Sequence, residues 1–215
     1  MPTLPEILGQ LQFISQEILL LGLIVTAGAI LVTRDWRLLI LALLLQYILA
    51  GLILSRLVRP DIAVLKIMIG AFICPILFLS VRQVAVSTPS ASPIVQQEWR
   101  NPAATGWIFR LLTALVMLLV AITLSEMFAL PGLTPTLLIA VYWLMLMGLT
   151  TLVITEEPLK TGIGLLTILT GFDLFYTTLE HSLLITGLWG TVNLLIALAI
   201  SYLIIVKGIN PEEEA

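Results

Sequence analysis

TGIGLLTILTGFDLFYTT, residues 161–178, is the stretch on which the fold turns, and Asp173 is its only charge. At about 1.5 Å rise per residue, a helix of this length covers most of the roughly 30 Å hydrocarbon core of a bilayer. Lipid offers the backbone no hydrogen-bond partners, so such a segment must satisfy itself as a helix. An ionised carboxylate at this depth costs from a few to more than about ten kcal/mol. Asp173 is therefore expected to be paired, uncharged or turned toward a wet cavity, and it is the first candidate functional residue.

The same pattern extends outward. Of 215 residues 60% are hydrophobic and 11% charged, with a mean hydropathy of +1.13, far from the composition of a soluble domain. Apolar stretches of bilayer length recur at 14–32, 38–57, 62–81, 109–128, 136–154, 161–178 and 183–206. They predict an all-α integral membrane protein with about seven transmembrane helices. Pro75, inside the third stretch, is expected to kink it or free a carbonyl. The only long connection, VAVSTPSASPIVQQEWRNPAATG, is rich in Ser, Pro and Ala and reads as an exposed linker.

Lys and Arg accumulate in cytoplasmic loops. An external N-terminus places Arg34, Arg37, Arg82, Arg100, Arg110, Lys160 and Lys207 inside, leaving Arg56 and Arg59 outside and Lys66 within a span. The C-terminus then lies in the cytoplasm. In this orientation stretches one to three and five to seven run in the same sense, and the fourth returns the chain to its starting side. The expected organisation is a three-helix unit over residues 1–83, a cytoplasmic linker over 84–108 and a connecting helix over 109–130. A second three-helix unit over 131–207 and an acidic tail over 208–215 complete it. The N-terminus lacks the basic region of a cleaved signal peptide and is expected to be retained.

Few polar residues interrupt the spans. Asp173 reads as a proton or cation relay, as a counter-ion for a cationic partner, or as a carboxyl kept uncharged by burial. Thr170 and Thr177, three residues before and four after it, share its helical face. This stripe serves an ion or simply joins helices. Asn193 and Gln46, near the middles of their spans, read as amides bridging helices or holding water. Lys66, about a turn past the start of its span, is expected to snorkel to the surface, the alternative being a shared proton path. Glu17 and Glu126 read as interfacial, and the lone Cys74 as a small core residue.

Several chemistries find no support. His181, beside Glu180 in a short loop, lacks companion ligands for a metal, and a haem would want a histidine inside a span. A P-loop, a GxSxG elbow and an HExxH pair are missing, so no intrinsic catalytic site, cofactor or metal is expected. The net charge of −3 comes largely from Glu212, Glu213 and Glu214, which makes nucleic acid an improbable partner.

Residues 151–179, TLVITEEPLKTGIGLLTILTGFDLFYTTL, followed by 184–208, LITGLWGTVNLLIALAISYLIIVKG, resemble subunit K of respiratory complex I. That family carries a buried acid in a Gly-x-Glu-Leu-like context, which GFDLFY matches with Asp173 in place of glutamate. Asn193 stands where the family has a second acid. Residues 30–51, ILVTRDWRLLILALLLQYILAG, resemble the arginine-containing turn and second helix of the same subunit, with Gln46 within a residue of the acid's place. Residues 61–83, DIAVLKIMIGAFICPILFLSVRQ, resemble the third helix of hydrogenase-4 component E, a longer relative with a membrane lysine and a proline. Chain length, span count and the two-unit order fit component E as well.

The resemblance implies a non-catalytic subunit of a complex-I-like or membrane-hydrogenase-like assembly, in an energy-coupling bacterial or archaeal cell membrane. Asp173 would be the main charge site in proton or sodium translocation, with Thr170, Asn193, Gln46 and Lys66 holding water or pairing with it. Electron carriers would belong to partner subunits, and the membrane partners implied are antiporter-like and complex-I-like. Two other readings stand beside this one: a stand-alone secondary transporter or channel with Asp173 as its ion site, and a purely structural membrane subunit.

Overall fold

The computed structural model describes residues 16–58, 60–87, 106–128, 133–179 and 182–209. These form seven α-helices and, among the described residues, no strand: α1 (Gln16–Val32), α2 (Trp36–Leu57), α3 (Pro60–Ser87), α4 (Trp107–Met127), α5 (Pro135–Ile154), α6 (Pro158–Leu179) and α7 (Leu183–Ile209). The all-α membrane fold expected from the hydropathy pattern is the one observed. Helices α2 to α7 are each long and apolar enough to cross a membrane. The apolar helix α1, 17 residues long, reaches the lower limit of bilayer length.

Three helices open on a proline, at Pro60, Pro135 and Pro158, where the missing N–H has no partner to lose and the fixed φ suits a first turn. The linker expected over 84–108 is shorter than its composition suggests, because residues 84–87 continue α3 and 107–108 begin α4. Residues 88–105, together with Glu180, His181 and the tail from residue 210, lie outside the described residues.

Turns at 33–35 and 155–157 are too short for anything but antiparallel neighbours. The helices pack as two rows of three, α1–α2–α3 and α5–α6–α7, laid face to face so that α1 meets α5, α2 meets α6 and α3 meets α7. The most extensive pair is α5 with α6. Gly148 makes it possible: a Cβ there would fall 2.6 Å from the Gly164 carbonyl oxygen and 2.8 Å from the Ile168 nitrogen, both backbone atoms. Helix α4 braces the outside against α1 and α5, burying only the stripe Arg110, Ala114, Ala121 and Ser125.

Two cations counted among the loop charges are buried instead. Lys160 on α6 donates to the Thr33 carbonyl at 2.8 Å, and Arg110 on α4 donates to the Leu31 carbonyl at 3.4 Å. The last carbonyls of a helix have no partner within it and carry the negative end of its dipole, so both side chains cap α1 from neighbouring helices. Pro75 lies on an exposed face of α3, within a continuous helix. The carbonyl it deprives of a donor, four residues back at the likewise exposed Ala71, faces away from the bundle interior.

Candidate functional site

Lys66 follows Pro60 by less than two turns, close enough to the helix start for a lysine to reach the surface. The structure places it otherwise, and the snorkelling expectation fails: Lys66 is 0% exposed. Its ammonium donates to Asp173 Oδ2, forming an ion pair enclosed between α3 and α6. The reason lies on α6. Were Lys66 to turn outward, Asp173 would be left as an uncompensated charge in an apolar interior, a larger penalty than burying the two together.

The face of α6 around Asp173 divides its labour. Thr170, Asp173 and Thr177 are all buried. The Thr177 hydroxyl donates to Asp173 Oδ1 at 3.2 Å, so both carboxylate oxygens are engaged. The Thr170 hydroxyl donates instead to the Leu166 carbonyl of its own helix, at 2.8 Å. Of the polar stripe expected on this helix, one threonine supports the carboxylate and the other stands beside it.

Helix α2 contributes Gln46 and Tyr47, both 0% exposed. The Lys66 ammonium lies 5.6 Å from the centroid of the Tyr47 ring, within reach of its negative face. Gly70, one turn beyond Lys66, lets the tyrosine lie against α3, since a Cβ at this glycine would fall 2.4 Å from Tyr47 Cβ. The Tyr47 hydroxyl makes no protein hydrogen bond. Tyr47 was not among the residues singled out from sequence. Its signal was its place beside Gln46, which makes a polar pair within an apolar span.

Helix α7 closes the group with Asn193, buried on the same stripe as Thr186, Gly190 and Ala197. Its Oδ1, both polar atoms of the Gln46 amide and the Tyr47 hydroxyl have no protein hydrogen-bond partner. A buried polar atom left unpaired costs about 1–3 kcal/mol, which is why groups of this kind are normally satisfied, often by water. The four interior helices α2, α3, α6 and α7 thus enclose every candidate singled out from sequence: Gln46, Lys66, Thr170, Asp173 and Asn193.

The enclosure is one-sided. Lys66 stands near the start of α3 and Asp173 near the end of α6, at the same end of the bundle. Toward the opposite, arginine-rich end the same helices meet through apolar side chains, among them Leu39, Leu43, Leu77, Ile163, Leu166 and Ile200. Ser80 and Ser201 make one polar contact within that block. No cluster of His, Cys, Asp and Glu able to hold a metal occurs among the described residues. What the site offers chemically is a pair of ionisable groups in a low-dielectric setting, beside amide and phenol groups with spare hydrogen-bonding capacity.

Compared with known proteins, the chain matches no family, no curated sequence and no solved structure.

Proposed function

We propose that this chain is a non-catalytic membrane subunit of a complex-I-like or membrane-hydrogenase-like assembly. Its Lys66–Asp173 pair takes part in moving protons or sodium ions, coupled to redox chemistry in partner subunits. The single observation that carries this reading is the buried ion pair bridging the two three-helix units, with the ring of Tyr47, whose hydroxyl is unpaired, beside it and unpaired polar atoms of Gln46 and Asn193 buried on the adjoining helices α2 and α7. Ionisable groups inside membranes are expensive and cluster along ion pathways. The family reading rests on the resemblance of residues 30–51, 61–83, 151–179 and 184–208. Basic residues gathered at one end of the bundle support a cytoplasmic location for that end.

One observation favours a structural role. Asp173 is fully engaged by Lys66 and Thr177, so the pair also serves as a pin between the rows. An apolar double substitution, Lys66→Met with Asp173→Leu, separates the two readings. It removes both charges while leaving no unpaired partner, a change that packed interiors tolerate. The assembly should form, and ion translocation by the complex should fall to background while Lys66→Arg retains part of it. Full transport by a correctly assembled double variant would leave the pin and remove the ion-conducting role.

A further inference from the structure

At the arginine-rich end, a concavity of about 600 Å³ opens between α2 and α3, lined by Trp36, Arg37, Phe78, Arg82 and Ala85. Its two aromatic rings lie 5.4 Å apart, and the Arg37 guanidinium sits 5.1 Å above the Trp36 ring. Both arginines are exposed, and no described carboxylate pairs with either. Stacking on Trp36 holds the Arg37 fork in place, so less freedom is lost when it takes a bidentate acceptor. Trp36 opens α2, and Asp35 before it makes no side-chain bond to the first N–H groups, which leaves a helix N-terminus facing the same end. Two guanidinium charges against the one exposed carboxylate of Asp35 keep this corner cationic.

The faces leading away from the concavity are apolar and continuous. On α3, Ala71, Pro75 and Phe78 precede Arg82 at helical spacing, all exposed. On α2, Leu41 and Leu45 follow Arg37 at the same spacing, 58% and 47% exposed. Small residues on one helix and leucines on the other form a shallow lane along the membrane-facing side, beginning at the arginines. Cation, aromatic pair and apolar lane occur in the order in which a phospholipid presents phosphate, glycerol region and acyl chain.

We infer that Arg37 and Arg82, with Trp36 and Phe78, form a binding site for an anionic phospholipid, its phosphate between the two guanidinium groups and one acyl chain along the α2–α3 lane. Charge complementarity selects the lipid, since each arginine near a membrane surface strengthens attraction to an anionic headgroup. This inference stands on a different face from the Lys66–Asp173 pair and does not depend on its role.

The test is native mass spectrometry of the full chain, extracted in mild detergent from vesicles of equal phosphatidylglycerol and phosphatidylcholine. The wild type should retain phosphatidylglycerol in preference to phosphatidylcholine. Arg37→Gln with Arg82→Gln should lower that retention by about tenfold or more, because two charges near the surface are lost. Arg37→Lys with Arg82→Lys should retain an intermediate amount, keeping charge while losing the bidentate grip, and Arg34→Gln should match the wild type. Equal retention of the two lipids would overturn the site. So would an equal loss on Arg34→Gln, a glutamine double variant that melts and retains lipid like the wild type, or displacement of the lipid by millimolar inorganic phosphate. The last result would assign the arginines to a free anion.

Discussion

Loss of either Lys66 or Asp173 alone would upset a balance that the two residues hold only together. Breaking a buried pair from one side strands a charge, at about 3–5 kcal/mol, whereas removing both partners is often nearly neutral. Thermal unfolding in detergent should show Lys66→Met and Asp173→Leu each strongly destabilising, and the double variant closer to the wild type than either. Additive losses would mean that the two side chains do not interact in the folded protein. Asp173 was legible in the sequence because it is one charge among apolar residues of bilayer length. Its partner was not, since Lys66 lies 107 positions away and only the face-to-face packing of the two helix rows brings them together. Judged by distance from its helix start, Lys66 had a surface within reach, and a local rule could not see the carboxylate competing for it. Tyr47 was missed for a related reason: it packs among apolar side chains like any core aromatic until Gly70 is seen to lay its ring beside Lys66.

Helix boundaries were far easier to read than helix partners. Hydropathy places six of the seven helices because lipid demands both length and internal hydrogen bonding, and α1 follows the same pattern at shorter length. The end of α3 runs past the apolar stretch that predicted it, since polar side chains at a membrane surface do not stop a helix, and no proline or glycine lies between Arg82 and Ser87; α7 likewise runs three residues past its own stretch, through Gly208. Pro75 was expected to kink its helix or free a carbonyl, and its exposed position sends the lost hydrogen bond outward. Gly148 is obligatory, because the backbone of α6 occupies the space a side chain would need. Gly148→Val should force α5 and α6 apart and destabilise the bundle by about 1–3 kcal/mol, the usual penalty for overpacking. Gly28→Ala meets nothing within 4 Å and should leave the melting temperature near that of the wild type. A Gly148→Val protein as stable as Gly28→Ala would show that the α5–α6 contact is looser than the packing described above.

Across the two rows, α1 pairs with α5, α2 with α6 and α3 with α7. Which surface of a membrane each end faces follows from the basic residues alone, and it can be tested on the whole chain. A Ser90→Cys probe in sealed, right-side-out cells should resist a membrane-impermeant thiol reagent and react once the membrane is opened, with the buried Cys74 as the silent background. Reaction in intact cells would invert the proposed orientation. The off-centre position of the ion pair has an electrical meaning. Lys66 stands six residues beyond Pro60 and Asp173 six before Leu179, about 9 Å along each helix axis from the nearer end, in a hydrocarbon layer of roughly 30 Å. A unit charge crossing the full layer exchanges about 2.3 kcal/mol with each 100 mV of membrane potential. One that moves only between the pair and the nearer surface senses roughly a third of that voltage. Most of the electrical work of a complete crossing would therefore be done in the apolar half of the bundle, or in a neighbouring chain.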